Sequence, residues 1–116
     1  DGVVLPPGLA APHEHLPIVT GLNNTDERLH LALRLLARLR RAPVLVGHQL
    51  TAVDVSRPEQ LQFVMDGEVE VRCGSEETLP NHLARLRPVL QRVARNQLAV
   101  RYIDLRFPDP VIGPKL

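Results

Sequence analysis

The apolar residues of this chain follow different periods in different segments, and each period predicts a different element. Val3 to Leu5 reads as a short strand, which the following prolines stop. From about Asp26 to Arg40 the leucines recur at helical spacing, and Asn24 or Thr25 can cap the first turn. The core stripe predicted for this helix is Leu29, Leu33, Leu36 and Leu39, broadened by Leu31 and Leu35.

After the first helix the period becomes two, which indicates strands. Short strands are predicted at Val44 to Val46 and at Gln49 to Val55. The segment from Leu61 to Cys73 reads as a hairpin, because apolar and polar residues alternate on both sides of Asp66-Gly67. That pair tolerates the positive φ of a two-residue turn. Cys73 falls on the buried face of the hairpin, where it would act as a small hydrophobic residue.

A second helix is predicted from about Thr78 to Ala94, closed by Asn96, and a strand follows from Leu98 to Phe107. Pro88 conflicts with this helix, because its ring clashes with the carbonyl four residues earlier, so it should kink or split the helix. The order of elements predicts an α+β fold, a mostly antiparallel β-sheet with two amphipathic helices packed on one face. The core stripe predicted for the second helix is Leu79, Leu83, Leu86, Leu90 and Val93.

The last predicted strand is the best candidate for a binding surface. After a turn at Pro108-Asp109-Pro110, the run Val111-Ile112-Gly113 can form a short final strand. Such a strand would be a sheet edge, whose unpaired backbone groups can accept a strand from another chain. Periodicity alone favours the plainer interpretation, a terminal strand whose polar face meets water. The preceding strand, Leu98 to Phe107, is predicted to have Ile103, Leu105 and Phe107 on one face and Tyr102, Asp104 and Arg106 on the other.

Length and charge narrow the class of protein. The 116 residues fit a single domain, 1–116, and no apolar run is long enough to span a membrane. Because the chain begins at Asp1 without Met, we expect a fragment or a processed domain. The first helix places Arg34, Arg38 and Arg41 at helical spacing, but the net charge of +1 gives no basic excess. A solvated helix face is therefore favoured over a nucleic-acid site.

The sequence contains residue types that could serve two kinds of chemistry, metal binding and hydrolysis. His13 and His15 project to the same side of an extended segment and could hold Zn²⁺ or Ni²⁺, but a third ligand at fixed spacing is missing. A solvated stretch between prolines is favoured there. Ser56 and Ser75 lack a nucleophile elbow, and no glycine-rich phosphate loop is present. We therefore expect no catalytic activity and no cofactor.

Several segments resemble one protein family in the same order along the chain. The run Ile103-Asp104-Leu105-Arg106-Phe107-Pro108-Asp109, followed by Val111-Ile112, resembles the C-terminal signature of the bacterial cell-division family FtsQ/DivIB. The resemblance extends over nearly the whole chain. The other segments that carry it are Asp1-Gly2-Val3-Val4, Leu16-Pro17-Ile18-Val19-Thr20-Gly21, and Val71-Arg72-Cys73-Gly74 followed by Leu83, Leu86 and Leu90.

The resemblance implies a non-catalytic scaffold of the divisome, in this case its C-terminal extracytoplasmic β domain. A transmembrane helix and a small preceding domain would lie upstream of Asp1. The domain would sit at the periplasmic face of the inner membrane at the septum. It would bind the FtsB/DivIC–FtsL subcomplex by strand addition at its C-terminal edge and help control septal peptidoglycan synthesis. The alternative is a small ligand- or metal-binding accessory domain that uses His13 and His15.

The resemblance also implies which residues meet the partner. Arg106 would meet a partner carboxylate, for which its bidentate fork is suited, and Phe107 would pack beside the added strand. Pro108, Pro110 and Pro114 limit the length of the strand and remove ladder donors. The implied partner-binding set is Tyr102, Arg106, Phe107, Val111, Ile112 and Gly113.

Overall fold

The computed structural model describes residues 2–4 and 17–114. A short 3₁₀ helix, Pro43–Leu45, follows the first α-helix. The other elements are β1 (Gly2–Val4), β2 (Ile18–Thr20), α1 (Asp26–Arg41), β3 (Leu50–Asp54), β4 (Gln62–Met65), β5 (Val69–Arg72), α2 (Leu79–Arg95), β6 (Val100–Asp104) and β7 (Val111–Pro114).

The described strands form one seven-stranded sheet, in which their order is the order of the sequence. β2 runs parallel to β3 and β5 runs parallel to β6, whereas the other neighbours are antiparallel. The predicted α+β fold is confirmed, whereas the sheet is mixed: two of its neighbouring pairs are parallel and the others are antiparallel, as predicted. A helix joins the strands of each parallel pair, because parallel neighbours need a long crossover connection.

A single row of apolar side chains runs across the sheet and forms the floor of the core. Its members are in register from strand to strand, so their side chains lie on the same face of the sheet. Both helices bury side chains in this same core. The two helices therefore pack on one face, as predicted. The row consists of Val19, Val53, Phe63, Val71, Ile103 and Ile112.

The buried stripe of α1 differs from the predicted one. Leu29 is 37% exposed and Leu33 is half-buried. The helix has leucines on several sides, so the spacing alone did not fix which side faces the sheet. Thr25 caps the helix, since its hydroxyl oxygen accepts the backbone N–H of Arg28 at 3.2 Å. The buried residues of α1 are Leu31, Ala32, Leu35, Leu36 and Leu39.

The stripe of α2 was predicted only in part, since it missed His82 and Val89, whereas Asn96 closes the helix as expected. Pro88 lies inside α2 but does not split it, which corrects that part of the prediction. Pro88 and Ala84 are both exposed, so the carbonyl that loses its donor lies on the solvent side of the helix. Leu79, His82, Leu86 and Val89 are buried, with Leu83, Leu90 and Val93 at the margin of the core.

The strand predicted at Val44 to Val46 is wrong. The chain forms the 3₁₀ helix Pro43–Leu45 at this point, and Leu45 enters the core. Proline fixes φ near −65°, which starts a helical turn and does not suit an extended strand. Three apolar residues in a row fit either element, so the period did not decide between them.

The fold contains the same βαββ arrangement twice. In the first, β2, α1, β3 and β4 follow one another, and in the second β5, α2, β6 and β7 do so. Each has a parallel pair joined by its helix and then an antiparallel hairpin. Both hairpins have a register shift at the corresponding place, between Leu50 and Ala52 in β3 and between Val100 and Tyr102 in β6.

The two halves also end their parallel strands in the same way. The carboxylate of Asp54 accepts the backbone N–H of Ser56 at 2.9 Å, and that of Asp104 accepts the backbone N–H of Arg106 at 3.1 Å. An arginine of each helix then donates to two carbonyl oxygens of the following loop. Arg28 of α1 donates to Val55 and Ser56, and Arg85 of α2 donates to Leu105 and Phe107.

The predicted hairpin from Leu61 to Cys73 is confirmed. Asp66 and Gly67 both have positive φ, 57° and 74°. Met65 pairs with Val69, however, so three residues separate the paired positions where two were predicted. The Asp66 carboxylate accepts the backbone N–H of Gln49 at 2.9 Å, which ties the turn to the start of β3.

We expect Gly67→Val to destabilise the protein by about 1–2 kcal/mol, because a β-branched residue resists positive φ. A Cβ at Gly67 would meet no atom within 4 Å, so the cost comes from the backbone and not from a clash. Glu59→Val is the control, since it places the same side chain in an exposed turn at a position without positive φ. Urea unfolding measures both variants, and equal stability of the two would contradict the prediction.

Candidate functional site

Strand β7 forms one edge of the sheet, where sequence analysis placed the candidate site. The predicted final strand at Val111-Ile112-Gly113 is present as part of β7. Among the described strands, β7 pairs with β6 on one side and with none on the other. Its outer side therefore offers backbone groups to whatever approaches it.

The hydrogen bonds of β6 show which residue of β7 points outward. The N–H of Leu105 donates to the carbonyl oxygen of Arg72 at 2.9 Å. Alternate residues of a strand direct their backbone groups to the same side. The N–H and C=O of Ile103, two residues before Leu105, therefore also face β5 and not β7. Ile103 lies opposite Ile112, and opposed residues of an antiparallel pair either both face each other or both face away. The N–H and C=O of Ile112 therefore lie at the open edge.

Two prolines restrict this edge to one donor. Pro110 and Pro114 have the same parity as Ile112, and proline has no N–H to give. Between these prolines, Ile112 provides the one outward N–H. Val111 and Gly113 face β6, so the prolines leave the β6–β7 ladder intact. An edge with a single donor is protected against unspecific strand pairing while it keeps one position for a specific contact.

Gly113 and Tyr102 pack closely on the face of the sheet that the helices leave uncovered. The two residues are in register, and a Cβ at Gly113 would overlap the Tyr102 ring, so the ring lies directly on the glycine. On the other side of the ring, Arg72 of β5 places its guanidinium carbon 4.1 Å from the centroid of the Tyr102 ring. Arg72 Nε donates to Glu70 Oε1 at 2.9 Å. This arrangement gives β7 side-chain contacts on both faces of the sheet.

The buried Asp104 and the half-buried Arg106 form a hydrogen-bonded pair at the end of β6. Arg106 Nε and Nη2 donate to the two oxygens of Asp104 at 2.9 and 2.6 Å. The Arg106 side chain therefore holds the pKa of the Asp104 carboxyl below its ordinary value, although burial acts in the opposite direction. The alternation placed Asp104 on a solvent face, yet it is only 3% exposed. The Arg106 guanidinium is therefore bound to Asp104 of its own chain.

The alternation predicted that Phe107 lies on the buried face with Ile103 and Leu105, but in the structure it does not. The strand ends at Asp104, where the side chain of that residue captures the N–H of Arg106 and turns the chain. Phe107 is 50% exposed, and the Arg106 guanidinium lies 5.9 Å from its ring centroid. Arg85 donates to the carbonyl oxygens of Leu105 and Phe107 at 2.9 and 3.1 Å. An exposed aromatic ring is thus held on a fixed backbone.

The structure brings the predicted partner-binding residues together in β6, β7 and the loop between them. Arg72, Glu70 and Arg85, which support this region, were missed by sequence analysis. The alternation of β5 does place Glu70 and Arg72 on the outer face, so that signal was present. Arg85 could not be recognised from the sequence, since its contact depends on how α2 packs. The predicted set is Tyr102, Arg106, Phe107, Val111, Ile112 and Gly113.

The candidate metal site at His13 and His15 lies outside the described residues. Within residues 17–114, no three His, Cys, Asp or Glu side chains are grouped as metal ligands. Cys73 is buried as predicted, and burial raises the pKa of its thiol to about 12. In the described part of the chain, neither helix is long and apolar enough to cross a bilayer.

One comparison with known proteins identifies a family. A family model with the description "Cell division protein FtsQ/DivIB, C-terminal" matches residues 1–106. A search of curated proteins found no match. The matched range ends at Arg106, so Phe107 and β7 lie beyond it.

We expect Asp104→Asn to destabilise the protein at pH 7 by about 1–3 kcal/mol, because it removes a buried hydrogen-bonded charge. The pKa of Asp104 is lower in the folded protein than the ordinary 3.8, so its contribution is present above about pH 4 and is lost as the pH falls through the folded pKa. The variant should therefore lose less stability on acidification than the parent. Asp109→Asn is the control, because Asp109 is exposed in the loop that follows β6. Urea unfolding from pH 7 to pH 2.5 decides, and parallel profiles for parent and Asp104→Asn would contradict this role.

Proposed function

The chain belongs to the FtsQ/DivIB C-terminal family, and on this basis we propose that it is a scaffold domain of the bacterial division complex. The family consists of extracytoplasmic, non-enzymatic division proteins, so a role in cell division follows from membership. The proposal goes further and assigns binding of the FtsB/DivIC–FtsL subcomplex to β7. From the periplasmic face of the inner membrane at the septum, this contact would help control septal peptidoglycan synthesis.

The observation that carries the proposal is the open outer side of β7. An added strand would receive the N–H of Ile112 and donate to its carbonyl oxygen, as in recognition by β-augmentation. Pro110 and Pro114 restrict the register, because a partner strand that is shifted finds no donor opposite its acceptor. The carbonyl oxygen of Pro114 remains available as a further acceptor. Backbone pairing of this length is short, so side chains must supply part of the affinity.

The repeated βαββ arrangement supports the same site by comparison of the two halves. β7 corresponds to β4, and the far side of β4 is occupied by β5 in antiparallel orientation. Phe63 of β4 corresponds to Ile112, and Val71 of β5 lies opposite Phe63. A strand added to β7 in the same manner would run antiparallel and place an apolar residue opposite Ile112, in continuation of the row across the sheet.

The exposed side chains beside β7 suit a partner with apolar residues on one face of its strand. Phe107 is half exposed on its fixed loop, and Val111 is 43% exposed on the uncovered face. The Tyr102 ring lies between Gly113 of β7 and the guanidinium of Arg72. It would therefore limit how far a partner side chain extends across the uncovered face of the sheet. Arg106 keeps Asp104 in place, so its contribution to binding is to position the loop that carries Phe107.

We expect Ile112→Pro to weaken partner binding about tenfold or more, because it removes the one outward donor of the edge. Ile112→Ala is the matched control, since it loses the same side chain but keeps the N–H. The probe is a synthetic peptide of the extracytoplasmic juxtamembrane region of the FtsB/DivIC-like protein from the same organism, measured by calorimetry.

Melting curves of both variants separate a binding effect from a folding effect. The proline variant should bind at least several-fold more weakly than the alanine variant at temperatures where both are folded. Equal affinities of two folded variants would exclude strand addition at β7. The cell-division role would then need another surface.

A further inference from the structure

The two helices carry a strongly uneven charge. Nine arginines lie in α1 and α2, whereas the acidic residues of these helices are only Asp26 and Glu27, in the first turn of α1. The net charge of the whole chain is only +1, because the other acidic residues, which lie outside the helices, balance the charge of these arginines. The outer side of the helix layer is therefore basic although the protein is nearly neutral.

A groove lies between the C-terminal end of α1, the 3₁₀ helix and the first half of α2. Its volume is about 640 Å³, within the range of about 300–1,000 Å³ that is usual for ligand-binding clefts. The floor is apolar and includes Val44, Leu79 and Leu83. We call this surface the basic groove, because its rim is formed by Arg38, Arg41 and Arg87.

The rim arginines are exposed and largely uncommitted. None of the ion pairs within residues 17–114 includes Arg41 or Arg87. Arg34, one turn before Arg38, differs from them, because its Nε binds Glu76 Oε2 at 2.7 Å. The hydrogen bond from Arg34 is the main cause that lowers the pKa of the Glu76 carboxyl. Arg38 adds a smaller effect in the same direction, as a nearby charge without a hydrogen bond. The rim thus offers guanidinium groups that can bind carboxylates bidentately.

We propose that the basic groove binds an acidic amphipathic helix of a partner protein, with its apolar residues on the floor and its Asp or Glu side chains against the rim. An apolar stripe flanked by charge of one sign is complementary to such a helix. The proposal does not depend on strand addition, since no residue of the groove belongs to β6 or β7.

The shape of the groove favours a helix over a membrane surface. Leu79 is buried and Val44 and Leu83 are half-buried, below a rim of long arginine side chains. A flat bilayer would meet the arginines but would not reach the floor, because lipid insertion needs apolar side chains that protrude. A helix can lay its apolar stripe along such a floor while its acidic side chains meet the arginines.

The test uses a designed peptide of about 18 residues, five helical turns, with leucines at i, i+3, i+4 and i+7 and mainly glutamates elsewhere. The protein contains no tryptophan, so a single tryptophan in the peptide reports binding directly. Two further peptides serve as probes, one with the leucines replaced by glutamine and one with lysines in place of the glutamates. Vesicles of phosphatidylcholine and phosphatidylglycerol form the membrane arm.

The protein variants are matched in charge. Arg41→Glu with Arg87→Glu reverses two rim charges, and Arg92→Glu with Arg95→Glu reverses two exposed arginines of α2 outside the groove. We expect the rim variant to bind the acidic peptide at least about tenfold more weakly than the parent and the control variant to change by less than about twofold. Both altered peptides should fail to bind, and Ile112→Pro should bind like the parent. Melting curves verify that each variant is folded.

Several outcomes would overturn the proposal. No binding of the acidic peptide would exclude the groove as a helix site. Equal losses in the rim and control variants would show attraction by overall charge alone, and unchanged binding of the peptide without leucines would exclude the apolar floor. Binding to the vesicles that depends on the rim arginines, in the absence of peptide binding, would make the surface a membrane contact.

Discussion

The row of apolar side chains in register across the sheet is the contact on which the rest of the structure depends. The chain has no tryptophan and only two phenylalanines, so its core is built from leucine and valine around Phe63, in the middle of the row. Full burial of one such side chain contributes about 1.5–3 kcal/mol. Because the row is continuous, the helices can cover it as one surface. Ile112 is its last member, and the same residue that anchors β7 to the core presents its backbone at the open edge.

The two βαββ halves solve one problem of backbone hydrogen bonding in the same way. At the end of β3 and of β6 the chain leaves the ladder, and its N–H and C=O groups lose their partners. Asp54 and Asp104 accept an N–H there, while Arg28 and Arg85 donate to carbonyl oxygens. Backbone groups that leave a ladder need other partners, and here side chains supply them. As a result, each loop has a defined conformation before anything binds to it.

Much of this fold could be predicted from the sequence, because periods of two and 3.6 residues mark the hairpin, both helices and the final strand. What failed depended on choices that the local pattern leaves open. Leu29 fits a helical stripe as well as its neighbours do, and the run at Val44–Val46 fits a strand until Pro43 fixes the backbone of the turn. Phe107 continues an alternation that Asp104 interrupts through a hydrogen bond. The final strand was predictable from the short run after Pro110, whereas the parallel pairs and the basic groove depend on segments distant in sequence.

The burial of Cys73 has a consequence for the chemistry of the compartment. Disulfide exchange begins with attack by a thiolate, and a thiol with a pKa of about 12 forms almost none at neutral pH. The extracytoplasmic space of bacteria is oxidising, and an accessible unpaired cysteine there is open to oxidoreductases and to other thiols. In the proposed extracytoplasmic location, the folded domain would hold its single cysteine in a protected form. Mixed disulfides at Cys73 would therefore form on the unfolded chain, and their amount would report the fraction of the protein that fails to fold.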